Sequence, residues 1–297
     1  MTDSPSSSQM PPCGPAGDER RVALDTLRSA GGLPDEQLDL GACALALAAL
    51  DRPGVPLQRY RDHLDSLVAD ARAEAARLGA DADDDPDAGA EVLKAVLCGK
   101  YRYVGDGLAY DDLQNANLIR VIDRRKGLPV ALGILFLHAA RGIGCLAAGL
   151  NFPGHFVLRL EGGGRRVIID PFNGARKLEA HDLRDLLKTM SGNDAELDAP
   201  LVADAGNRQV LLRLQNNIKV RKMRLSQLEE ALETIERMLM FAPAEADLWR
   251  EAGIIDARLG NLQSAARRLE RYMETATDER GRYRTSMLLQ EIRNRLN

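Results

Sequence analysis

The spacing of apolar and polar positions divides the chain into a helical first part, a short strand-rich middle and a helical last part. Residues 39–50 (DLGACALALAAL) are dense in Ala and Leu, and residues 56–78 place Leu57, Tyr60, Leu64, Leu67, Val68 and Ala71 three and four apart. Both patterns predict helices, and Pro53 and Pro56 separate them. A helix resumes over residues 90–98. Residues 101–114 are irregular, with two glycines and three tyrosines. Residues 115–127 predict a short helix with Leu118, Val121 and Ile122 on one face, Asn115 as N-cap and Gly127 as stop.

Residues 128–144 (LPVALGILFLHAARGIG) are apolar almost without break as far as Ala140. A helix that is apolar all round is buried all round. Pro129 suits its first turn, and Gly142 and Gly144 end it. Three strands are then expected at residues 145–150, 155–160 and 166–170, the last two joined by the hairpin sequence EGGGR. Alternation puts His155, Val157 and Arg159 on one face and Phe156, Leu158 and Leu160 on the other. Helices followed by a small antiparallel sheet make an α+β arrangement.

The last stretch carries a repeat. Ala231, Ile235, Met238 and Pro243 recur 34 residues later as Ala265, Leu269, Tyr272 and Thr277, and Trp249 and Gly253 stand at the front of the second unit. This period and pattern are the tetratricopeptide signature. The front helix of the first unit, residues 208–224, lacks the Trp and Gly. The expected organisation is a disordered tail over residues 1–20, an α+β domain over 21–200 and a tetratricopeptide region over 208–297.

Composition removes several functions. The net charge is −4, so no basic excess points to nucleic acid, and the short run Arg124-Arg125-Lys126 reads as a solvated loop or helix end. The N-terminus has no apolar leader, and no stretch of about 18 apolar residues suggests a membrane span. Four widely spaced cysteines, Cys13, Cys43, Cys98 and Cys145, suit reduced thiols in the cytoplasm. In residues 79–90, Asp81, Asp83 and Asp85 alternate as in a calcium loop. However, Pro86 stands where that loop needs Gly and Val92 where it needs a bidentate Glu, so the stretch reads as an acidic linker.

The motifs together resemble the bacterial transglutaminase-like family typified by the Sir B regulator, whose members carry C-terminal tetratricopeptide repeats. Asn115 with Leu118, RRKGLPVALG (124–133), FPGHFVLR (152–159) and IDPFNGAR (169–176) carry the resemblance. It implies a transglutaminase/papain-like core and a site built from Asn115, Gly154, His155, Asp170 and Asn173. In active members of the wider superfamily a cysteine at the start of the buried helix is the nucleophile, and the histidine and aspartate complete a triad. His155 and Asp170 match those positions. Counting back fifteen residues from Gly144, where the pattern expects the thiol, reaches Pro129.

The expectation is therefore a non-catalytic protein-binding or regulatory scaffold in which His155 and Asp170 are a relic pair. Its partner would be a protein or peptide engaged through Trp249, Arg250 and Tyr272 of the repeats. The alternative is a cysteine hydrolase, amidase or acyl transferase using Cys98 with His155 and Asp170. A metal site of His138, His155 and Asp170 would need the fold to bring them together, and neither a metal nor a cofactor is expected.

Overall fold

The computed structural model describes residues 15–296. The expected tail lies outside the described residues as far as residue 14. From Pro15 the chain is already helical, so the boundary drawn at residue 20 falls inside α1 (Pro15–Gly32). α2 (Leu40–Leu50), capped by the Asp39 carboxylate on the Ala42 N–H, and α3 (Gln58–Leu78) follow as the periodicity predicts.

The acidic stretch is only partly a linker. Asp85 accepts from the Asp87 and Ala88 N–H groups and starts α4 (Pro86–Leu93), with Pro86 in its first turn. The helix then widens into a π turn over Lys94–Lys100. A two-residue parallel ladder, β1 (Val104–Gly105) with β2 (Lys126–Gly127), brackets α5 (Leu118–Arg124).

The caps of α5 differ from the expected ones. Asn117, not Asn115, is the N-cap, and Arg125 in the left-handed conformation (φ 59°), not Gly127, ends it. The basic run is also less solvated than its charge suggests. Arg124 pairs with buried Asp106 at 2.9 Å, and Arg125 donates to Tyr103 Oη and His63 Nε2 at 2.6 and 2.8 Å.

α6 (Pro129–Gly142) runs through the main core with eleven buried residues, as an all-round apolar helix must. Beside it lies a sheet ordered β6-β5-β4-β3-β7. Its strands are β3 (Leu146–Leu150), β4 (Leu158–Gly162), β5 (Arg165–Asp170), β6 (Arg176–Leu178) and β7 (Asp204–Ala205), all antiparallel to their neighbours. The β4–β5 turn is Gly163-Gly164, both at positive φ (54° and 73°), which a two-residue hairpin needs.

Phe156, Leu158, Leu160 and Ile169 face the main core. Val157, with Leu150 and Phe152, faces a second core closed by Leu183 and Leu187 of α7 (Ala180–Ser191). The alternation expected for β4 thus holds, but the strand begins three residues later than predicted, because the Pro153-Gly154 turn occupies its approach. Phe156 is held between two glycines. A Cβ on Gly133 of α6 would come within 2.3 Å of its ring, and one on Gly149 of β3 within 2.5 Å.

α8 (Asn207–Arg224) joins the two parts of the molecule. Its first N–H groups are taken by Asp35, from Asn207 at 2.7 Å and Arg208 at 2.8 Å. The Arg208 guanidinium binds the carbonyls of Ala30, Leu33 and Phe241. α8 packs on α9 (Leu228–Phe241), and α10 (Ala246–Arg258) packs on α11 (Leu262–Thr275), giving two helical hairpins closed by α12 (Glu279–Leu296). α9 also packs on α1, so the repeats share a core with the first helices. No described helix is long and apolar enough to cross a membrane.

Candidate functional site

The hairpin register sets Leu158 opposite Ile169. The residues just before β4 therefore lie beside the end of β5, and His155 meets Asp170 there. His155 Nε2 lies 2.9 Å from Asp170 Oδ1, with both side chains buried. Asp170 also accepts from the Phe172 N–H at 3.0 Å, the Asn173 N–H at 3.3 Å and the Asn173 side-chain amide at 2.7 Å. Burial pushes the Asp170 carboxyl up, but the His155 hydrogen bond and charge, together with the Asn173 donors, outweigh it and hold the group below the usual carboxylate range.

An ionised Asp170 can only accept, so His155 Nε2 carries the proton of this hydrogen bond. Phe172 packs edge-on to the imidazole at 5.8 Å between centroids. Asn173 is thus part of the Asp170 cradle. Gly154, at φ 70°, turns the chain into His155 and lines the cleft. Asn115 is fully buried and does different work. Its amide donates to the Ala109 carbonyl at 2.7 Å and accepts from Arg124 at 2.9 Å, which ties the loop before α5 to the helix end.

His155 lines a cleft of about 600 Å³, within the range of ligand sites. Pro129 and Val130, at the start of α6, line the same cleft as His155. Among the described residues the lining has no Cys, Ser, Thr or Lys. Cys98 stands in the π turn and lines a separate depression with Glu91, Lys94, Ala95 and Gly99. Burial pushes its thiol up to about 11 despite Lys94. The same cause raises Cys145 to about 11 and Cys43 to about 12, with Asp83 and Asp39 adding to it. Thiols in this range hold almost no thiolate at neutral pH.

His138 lies within α6, its Nε2 buried without a hydrogen-bond partner among the described residues. No group of three or more His, Cys, Asp or Glu side chains among the described residues has the arrangement of a metal site.

The repeat residues expected to meet a partner sit mostly between helices. Tyr272 is buried, and Arg250 reaches from α10 across to Thr285 of α12 at 3.2 Å. Half-buried Trp249 donates to the Pro243 carbonyl at 3.0 Å. What the sequence reading missed is the opposite wall of the cleft. It is a face of α8, with Gln209, Arg213, Asn216, Asn217, Arg221 and Arg224. Their three- and four-residue spacing was the available signal.

Residues 58–216 match the family described as the transglutaminase-like superfamily, and residues 218–290 match the tetratricopeptide repeat. The chain is 30% identical to a UPF0162 protein of Xylella fastidiosa (strain Temecula1 / ATCC 700964), over 81% of this chain and 85% of that one. It is 30% identical to protein SirB1 of Salmonella typhimurium, over 69% and 74% of the two chains. It is 29% identical to the UPF0162 protein YchA of Escherichia coli (strain K12), over 79% and 85%. No solved structure matches.

Proposed function

The chain belongs to the transglutaminase-like superfamily, and from that premise we propose that it is a non-catalytic member: a cytoplasmic, peptide-binding scaffold whose site is the cleft between the His155–Asp170 pair and α8. The observation that carries this reading is Pro129. In a working triad the helix start presents a thiol to the histidine, and the helix dipole and imidazole keep that thiol ionised. Here Pro129 stands at that place and lines the cleft that His155 lines, with no thiol to offer. The buried pair then serves to fix the cleft wall, since Asp170 gathers donors from His155, Phe172 and Asn173. The tetratricopeptide hairpins add a surface of the kind that engages protein partners.

The test is turnover. Purified protein is assayed for incorporation of a fluorescent primary amine into casein and for hydrolysis of a mixed peptide pool. The reading predicts the same background for wild type and His155→Ala. Turnover that His155→Ala abolishes would reject it and restore the cysteine hydrolase or acyl transferase.

A further inference from the structure

The α8 wall has a charge pattern that the histidine wall does not explain. Three arginines and one aspartate line the cleft, although the chain as a whole is acidic. Arg221 is accounted for, with Asp111 at 3.1 Å and the Tyr110 carbonyl at 3.0 Å. Arg213 is different. It is half-buried, donates to the His155 carbonyl and lies over the Phe156 ring at 5.4 Å, yet meets no carboxylate among the described residues. Burial pulls its pKa down, and Tyr110 opposes this. Arg224 is exposed at the cleft mouth, also with no carboxylate among the described residues.

A half-buried guanidinium without a counter-charge is costly, and a carboxylate delivered by a ligand removes that cost. Between the arginines lie Gln209, Asn216 and Asn217, whose amides both donate and accept, as peptide groups require. Leu212, Val220 and Tyr110 supply apolar surface, with Val220 and Tyr110 partly open to solvent. The N-terminal, electropositive end of α6 opens onto the same space.

We propose that the cleft takes an extended acidic peptide segment of a partner protein, one carboxylate held by Arg213 and a second, about 16 Å farther along the same face of α8, by Arg224, with an apolar side chain set against Leu212 and Val220. This rests on the reading of the cleft as a binding site. A small inorganic anion would leave the amides and the apolar lip unused, so the peptide is favoured.

The experiment probes an array of random hexapeptides with the full-length protein, then titrates resynthesised binders by fluorescence anisotropy. Bound sequences are expected to be enriched in Asp or Glu next to an apolar residue. Changing that acid to its amide should weaken binding roughly tenfold, and so should Arg213→Gln. Arg224→Gln, at an exposed position that cannot disturb folding, should cost about threefold. Arg284→Gln, exposed on α12, should change affinity less than about twofold. An array with no binders, binders without acidic enrichment, or affinity indifferent to both Arg213→Gln and Arg224→Gln would overturn the assignment. Binders without acidic enrichment, or indifferent to both substitutions, reject the acidic ligand alone; an array with no binders rejects peptide binding at the cleft as well; His155-dependent turnover rejects the non-catalytic reading.

Discussion

The two walls of the cleft are built on opposite terms. On the sheet wall, the buried carboxylate finds its donors within the wall. Asp170 takes donors from His155, Phe172 and Asn173, and Phe156 is locked between Gly133 and Gly149. On the α8 wall, the helix is anchored at its start by Asp35 and Arg208, but Arg213 and Arg224 keep charge without a carboxylate among the described residues. A wall with satisfied polar groups serves the fold; one with unspent charge on a rigid helix is free to serve a ligand.

The comparison breaks most sharply at Asp170. Asp170→Ala should cost about 3–5 kcal/mol, because it leaves His155, Asn173 and the Phe172 N–H without their buried acceptor. A guanidinium denaturation curve measures this. Gly133→Ala should cost about 1–3 kcal/mol by overpacking, since its new methyl meets the Phe156 ring; the Tm shift reads it. Both changes strike the sheet wall.

Acid separates that wall from the rest of the core. Arg125, which can only donate, lies 2.8 Å from His63 Nε2, with Tyr103 Oη at 2.7 Å, so Nε2 must keep its lone pair and only the neutral ring fits. Burial first, and Arg125 second, pull its pKa down to about 4. The unfolded chain takes up a proton near pH 6.5 and the folded chain near 4, so stability from this site is full above about 6.5 and is lost as pH falls to 4. The loss should be roughly 1–2 kcal/mol after allowance for partial exposure, and His63→Gln should flatten it. Asp170 acts lower. Its folded pKa is depressed, so its contribution is present above the unfolded value of about 3.9 and fades below that. Denaturation midpoints collected from pH 7 to 3 resolve the two. Smallest of all, Arg213→Gln should move stability by less than about 1 kcal/mol, because it breaks a hydrogen bond to one carbonyl and no ion pair. A loss as large as that of Asp170→Ala would erase the contrast between the walls.

The sequence made one wall readable and hid the other for a physical reason. The hairpin announces itself through period-two alternation and a Gly-Gly turn, and His155 and Asp170 stand at fixed offsets from it. Pro129 was readable only through the resemblance to the transglutaminase-like family, whose pattern places the nucleophile at the start of the buried helix. α8 looked only like a repeat unit lacking its Trp and Gly. Its polar face gains meaning when the helix packs on α2 and α6 and so comes opposite the histidine, a contact between residues far apart in the chain. The same distance effect hid the surroundings of Tyr272, which is buried, and of half-buried Arg250, which reaches Thr285 of α12. Asn115 likewise read as a cap from its neighbours, whereas its amide is committed to Ala109 and Arg124.

The central claim is that no thiol of this protein works with His155. Residue-by-residue alkylation by iodoacetamide at pH 7, followed by mass spectrometry in wild type and His155→Ala, tests it on all four cysteines. The account predicts slow alkylation of Cys43, Cys98 and Cys145, held back by their raised pKa values, and no change at any cysteine on the substitution. A cysteine that reacts rapidly in wild type and slowly in His155→Ala would contradict it.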